Sequence, residues 1–209
     1  RRVRTTYVGE RTASAMLSQD RILDQYLVAA ARAGDRTAFE ALARRWEKPL
    51  VGHAWRLVGD AELARDVAQS AWLDIAAALP RLDDCAAFPA FAFRITTRRA
   101  ADAIRRARRR RGGEAAFAVE PRAEYSSADS VEAAPDATAV AAAMNRLPRD
   151  QRAAIALFYL EDLSVAEIAA ALDVPAGTVK TRLMAAREKL RSALGVRQEK
   201  QHEQTRQAD

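Results

Sequence analysis

Apolar residues recur at helical spacing over two stretches of this chain, 21–111 and 139–194. The segment between them has little to bury. That pattern leaves one architecture: an all-α protein of two small helical domains on a tether. In the intervening "GGEAAFAVEPRAEYSSADSVEAAPDAT" (112–138), paired glycines, prolines and serines break the periodicity. Glu114, Glu120, Glu124, Asp129, Glu132 and Asp136 face a single base there, Arg122. The segment reads as an acidic flexible linker, so the two domains are expected to move independently in the free protein. Residues 1–20 are polar and aperiodic and are expected to be disordered, as is the tail at 196–209; Gly195 is placed to stop the last helix. The chain does not begin with Met, Met16 would serve as a start, and residues 1–15 are read as an extension.

The formal charge of +6 points to a polyanionic partner. A lone cysteine, Cys85, can form no internal disulfide, and this fits a reducing cytoplasm. No apolar run approaches the length of a membrane span, and no signal-peptide core is present. The two histidines, His53 and His202, lie far apart in sequence, and no phosphate loop, nucleophile elbow or Cys/His cluster accompanies them. No catalytic residue, metal or cofactor is expected.

Within the second stretch, "LSVAEIAAALDVPAGTVKTRL" (163–183) reads as two short helices with a tight break at "DVPAG". Ser164 followed by Glu167 is a capping box. Asp173, Pro175 and Gly177 interrupt the first helix near Leu172, and the second starts at about 175–178. Val179, Leu183, Ala186 and Leu190 share one stripe and pack inward. Thr181, Ala185 and Glu188 lie opposite, flanked by Thr178, Lys180 and Met184. This is a helix-turn-helix pattern, with the preceding "LPRDQRAAIALFYLEDLS" as a bracing helix. An ordinary helical hairpin with a solvated face would match it too.

The first stretch ends in "RRAADAIRRARRRR" (98–111), eight arginines against one acid, Asp102. On a helix, Phe93, Thr97, Ala100, Ile104 and Ala107 form one stripe, and Arg98, Arg99, Arg105, Arg106 and Arg109 fall on the other half. So dense a positive strip repels itself without an anion, and phosphate backbone is the natural one. Phe88, Phe91 and Phe93 lie beside it; each suits either an unstacked base or the core, and the core reading is the stronger. The helix at 60–79 differs: Asp60 can cap it, and Asp66, Gln69 and Ser70 make an outward surface that is polar but not basic, which suits a protein partner better than DNA and would equally match a merely solvated face.

In this order, the segments resemble the extracytoplasmic-function sigma factors, group IV of the bacterial sigma-70 family. The resemblance covers about 24–111 and 139–194. It rests on "GDRTAFEALARRW" with "GDAELARDVAQSAWL", on "RITTRRAADAIRRARRR", and on "LPRDQRAAIALFYLEDLSVAEIAAALDVPAGTVKTRLMAAREKLR". It implies a region 2 helical bundle at 21–111 and a region 4 helix-turn-helix at 139–195. Such a protein binds the clamp helices and flap of core RNA polymerase, melts and holds the minus-ten element of promoter DNA, and reads the minus-thirty-five element. By position, Asp66, Gln69, Ser70 and Leu73 fall where the family meets the clamp. Arg94, Arg98, Arg105, Arg106 and Arg109 fall where it handles minus-ten DNA, and loop 80–88 where it holds a flipped base. Thr178, Lys180, Thr181, Arg182, Met184 and Arg187 fall where it meets minus-thirty-five. An anti-sigma factor and a kinase are candidate regulators.

Some positions depart from the family pattern. Arg65 and Ser70 stand where acids are usual, which leaves core affinity lower or dependent on a phosphate at Ser70. Phe91 replaces a common Trp, Arg98 a frequent Asn, and Ala185 a longer residue. The alternative readings are a stand-alone helix-turn-helix regulator and a sigma mimic that binds an anti-sigma factor.

Overall fold

Helix boundaries in this protein fall where the sequence offers a cap or a break. The computed structural model describes residues 8–110 and 135–195. Its helices are α1 (Val8–Arg32), α2 (Arg36–Val58), α3 (Ala61–Ala78), α4 (Phe88–Arg110), α5 (Pro135–Asn145), α6 (Arg149–Tyr159), α7 (Val165–Leu172) and α8 (Ala176–Ala193). Two short 3₁₀ turns, Leu79–Arg81 and Cys85–Ala87, join α3 to α4, and no strand occurs among the described residues. None of these helices is long and apolar enough to cross a membrane.

Asp35 caps α2 by accepting from the amides of Thr37 (2.8 Å) and Ala38 (3.1 Å). Asp60 caps α3 through the amide of Leu63 (2.8 Å). Gly59 ends α2 at φ 78° and returns its amide to the Trp55 carbonyl (2.8 Å). A side chain there would be strained by that φ and would meet the Arg149 guanidinium at 3.0 Å.

Two boundaries differ from the sequence reading. The helix α1 reaches back to Val8, whereas residues 1–20 are expected to be disordered. No proline interrupts 8–20, and Ala13, Ala15, Met16, Leu17 and Gln19 favour a helix. The second difference is α5, which starts at Pro135, inside the expected linker, with proline in the first helical turn and an alanine-rich run behind it. Residues 112–134 of that linker, residues 1–7 and the expected tail at 196–209 lie outside the described residues.

In the first domain α2, α3 and α4 pack on one another. Phe88 and Phe93 are fully buried against Trp46, with ring centroids 5.1 and 5.6 Å away. They are core residues and cannot stack on bases; only Phe91 of the three is partly exposed. In the second domain Val179, Leu183 and Ala186 of α8 pack inward, as their spacing predicts.

Independent domains are not what the chain shows. The helix α7 packs on α4 and α6 on α2, and one apolar cluster runs from Leu42, Phe88 and Phe93 through Leu157 and Ile168 to Leu183. The cause lies in α6. Its residues Arg152, Ala153, Ala154, Ile155, Ala156 and Leu157 are all buried, and a helix buried all round needs neighbours on both sides. The helix α8 covers one side and α2 the other.

Candidate nucleic-acid and polymerase interfaces

The positive strip on α4 is real but divided. Arg99 forks onto both carboxylate oxygens of Asp74 and so ties α4 to α3; the hydrogen bonds it donates to Asp74 raise its pKa. It is committed to structure. Arg105 pairs with Asp102 one turn away and stays exposed, as do Arg106 and Arg109. Arg94 and Arg98 instead meet Asp173 of the second domain, at 3.3 and 3.7 Å.

On α3, Asp66 and Gln69 point outward and Ser70 is half-buried. Leu73 is 71% exposed, a large apolar side chain left in water on a polar face. Between α3 and α4 runs a groove of about 220 Å³ lined by Asp66, Ser70, Arg99 and Arg106 among others. The fold thus sets Asp66 of α3 beside Arg106 of α4, a juxtaposition the sequence does not announce.

The helix-turn-helix forms as its spacing requires. Ser164 and Glu167 complete a capping box: the Glu167 amide donates to Ser164 Oγ (3.2 Å), and the Ser164 amide to Glu167 Oε2 (2.7 Å). Asp173 closes α7 at φ 56° and Pro175 opens α8. Lys180, Thr181 and Met184 are exposed on α8, and Thr178 is half-buried. Thr181 Oγ1 donates to the Gly177 carbonyl (3.1 Å). The two candidate arginines of α8, Arg182 and Arg187, are held by their own domain. Arg182 pairs with Asp150 at 3.2 Å. Arg187 donates from Nε to the Tyr159 hydroxyl (3.1 Å) and lies 5.1 Å from the Phe158 ring.

Arg152 is a buried cation that sequence reading missed. It looks like a surface residue in "LPRDQR", yet it is buried, three positions before Ile155 and on the same stripe. Its guanidinium donates to the carbonyls of Asn145 (3.4 Å) and Arg56 (3.2 Å) and sits 5.2 Å from the Trp55 ring. Carbonyls at the C-terminal end of α2 carry the negative end of its dipole, which suits a buried cation. Burial, followed by the nearby Arg149 and Arg56, lowers the pKa of Arg152.

His53 is no ligand. It is fully buried beside Phe93, and its Nε2 lies 2.9 Å from Thr97 Oγ1. The Thr97 hydroxyl already donates to the Phe93 carbonyl (2.8 Å), so His53 Nε2 carries the hydrogen and Nδ1 is the bare nitrogen. Burial, helped by Arg56, pushes the His53 pKa down to about 3. An unfolded histidine titrates near 6.5, so the unfolded chain binds the extra proton between these values. Stability is full above about 6.5 and falls by about 1.4 kcal/mol per pH unit below it. His53→Leu should remove this part of the acid sensitivity; urea melts of both proteins at pH 7 and pH 5 measure it, and equal pH slopes would refute it.

Fold and surfaces together define a two-domain helical protein with a helix-turn-helix in one domain and a basic helix in the other. The family model "Sigma-70 region 2" matches residues 42–110, and "Sigma-70, region 4" matches residues 137–190. The RNA polymerase sigma-H factor of Pseudomonas aeruginosa is 33% identical over 193 residues, 86% of this chain and 96% of that protein. The ECF RNA polymerase sigma factor SigM of Mycobacterium tuberculosis is 35% identical over 173 residues, 82% of this chain and 85% of that one. Among solved structures, sigma factor RpoE of Bartonella quintana, in complex with the anti-sigma factor NepR, matches with a TM-score of 0.64 over 76% of this chain and 97% of that one; at 23% identity this likeness speaks for the fold. The chain belongs to the sigma-70 family, among its ECF sigma factors.

Proposed function

We propose that this protein is a transcription initiation factor, not an enzyme, that binds core RNA polymerase in the cytoplasm and directs it to specific promoters. The observation that carries the proposal is a pair of DNA-type surfaces on one chain: the open face of α8 and the exposed arginines at the end of α4. On α4, Arg94, Arg98, Arg105, Arg106 and Arg109 hold the melted minus-ten strand, mainly through phosphates. On α8, Lys180, Thr181 and Met184 read minus-thirty-five base edges, with Thr178 at the start of the helix. Arg182, oriented by Asp150, clamps a phosphate. Arg187 braces the helix against Tyr159. Asp66, Gln69, Ser70 and Leu73 face the polymerase clamp. An anti-sigma factor is a further expected partner, and a kinase acting at Ser70 a second regulator, since the exposed Arg106 lines the same groove and could hold a phosphate.

Positioning and reading separate in one experiment. Transcription is run from promoters with randomised minus-thirty-five sequence, using wild type, Arg105→Ala/Arg106→Ala, and Thr181→Ala. The strip variant should weaken all promoters alike and flatten the salt dependence by roughly one unit of log–log slope per lost phosphate contact. Thr181→Ala should relax preference at one base position, by about 1–3 kcal/mol if Thr181 meets a base edge. A changed sequence preference in the strip variant, with uniform loss in Thr181→Ala, would show the roles reversed.

A further inference from the structure

We propose that Asp74 and Arg99 are positioning residues for the minus-ten strip: their fork sets how α4 sits on α3, and so where Arg105, Arg106 and Arg109 stand relative to the polymerase-facing side of α3. The inference rests on the reading of these two surfaces as promoter and polymerase contacts.

The apolar packing of α3 on α4 does little to fix this register. Ala64 and Val67 of α3 and Ala100 and Ala103 of α4 are buried in one cluster, with Leu63 and Ile104 half-buried around it. Side chains as small as alanine let two helices approach closely but raise few ridges to catch in the facing grooves. Arg99, next to Ala100, supplies what they lack. Its Nε and Nη2 donate to the two oxygens of one carboxylate, that of Asp74. Two parallel bonds between planar groups fix an angle as well as a distance.

The fork also joins the edge of one surface to the edge of the other. On α3, Asp74 stands one turn beyond Ser70 and two turns beyond Asp66, so the three share a face. On α4, Arg106 stands two turns beyond Arg99, again on one face. Asp66, Ser70, Arg99 and Arg106 all line the α3–α4 groove. The Asp74 side chain is 39% exposed and that of Arg99 34%, and a pair so open to water contributes little to overall stability. Geometry is what it supplies.

The test uses the full chain assembled with purified core RNA polymerase, on a promoter fragment that the wild type transcribes. Asp74→Asn removes the carboxylate, and Arg99→Lys keeps the charge of the strip but cannot fork. Both single variants and the double variant are compared in two readings: core affinity by pull-down and, at saturating holoenzyme, the rate of promoter melting by permanganate reactivity of thymines. Each single variant should bind core within about two-fold of wild type yet melt the promoter roughly five-fold more slowly. The double variant should lose no more than either single, because one interaction can be lost only once. Melting at the wild-type rate in both singles would overturn the proposal. Faster melting by Asp74→Asn would overturn it too, by making Arg99 a DNA contact that Asp74 holds back. Equal losses of core affinity and of melting would reduce the pair to a structural role and overturn it as well. Failure of the promoter reading itself shows separately, as melting at the wild-type rate by Arg105→Ala/Arg106→Ala.

Discussion

Phe93→Ala should cost about 3–5 kcal/mol of folding stability, among the largest losses expected from a single truncation in region 2. Phe93 is fully buried, packs its ring against Trp46 and His53, and lies in the cluster that continues into region 4. The cavity should not close by a local shift, because helices of both domains line the cluster and would have to move together. Urea unfolding followed by tryptophan fluorescence measures the effect, since Trp46 sits against the lost ring. A destabilisation below about 1 kcal/mol would mean that the site collapses freely and that Phe93 is not the centre of this core.

Asp66→Arg should weaken binding to core RNA polymerase by about 2 kcal/mol, roughly thirty-fold, while leaving the fold intact. Asp66 is exposed, so its reversal costs region 2 little on its own. Bound to a partner, the same carboxylate becomes partly desolvated, and an arginine there would put like charges together. It would also stand beside Arg99 and Arg106 in the α3–α4 groove and add to the local positive charge. Leu73→Ala offers a comparison on the same face, removing apolar area without touching charge. Core pull-down with the folded variants gives the answer; normal binding by Asp66→Arg would remove α3 from the polymerase interface.

Much of this protein is legible from its sequence because its local signals agree with its tertiary structure. The Ser164–Glu167 capping box, the Asp60 cap, the Val179–Leu183–Ala186 stripe and the stop after α8 are decided within a few residues, and each forms as written. The division of the α4 arginines was not legible. Arg99 and Arg106 look alike in "RRAADAIRRARRRR", and only the approach of Asp74, 25 positions away, commits Arg99 to structure. The same holds for Arg182, whose partner Asp150 lies on another helix. The closed arrangement was hidden for a different reason: an acidic, glycine-broken segment says that two domains can separate, not whether their surfaces attract. The clue lay in "RAAIAL" (152–157), a run too apolar for a helix with one wet face.

The central claim is most directly tested by transcription in vitro, with purified core RNA polymerase, the full chain and a library of genomic promoter fragments. The account predicts transcripts that need the protein and start at discrete sites. Upstream of those sites, two short sequence elements should recur at a fixed spacing, the nearer melted on region 2 and the farther read by α8. No transcription above that of core polymerase alone, together with tight sequence-specific binding of duplex DNA by the free protein, would contradict it and identify a stand-alone helix-turn-helix regulator instead.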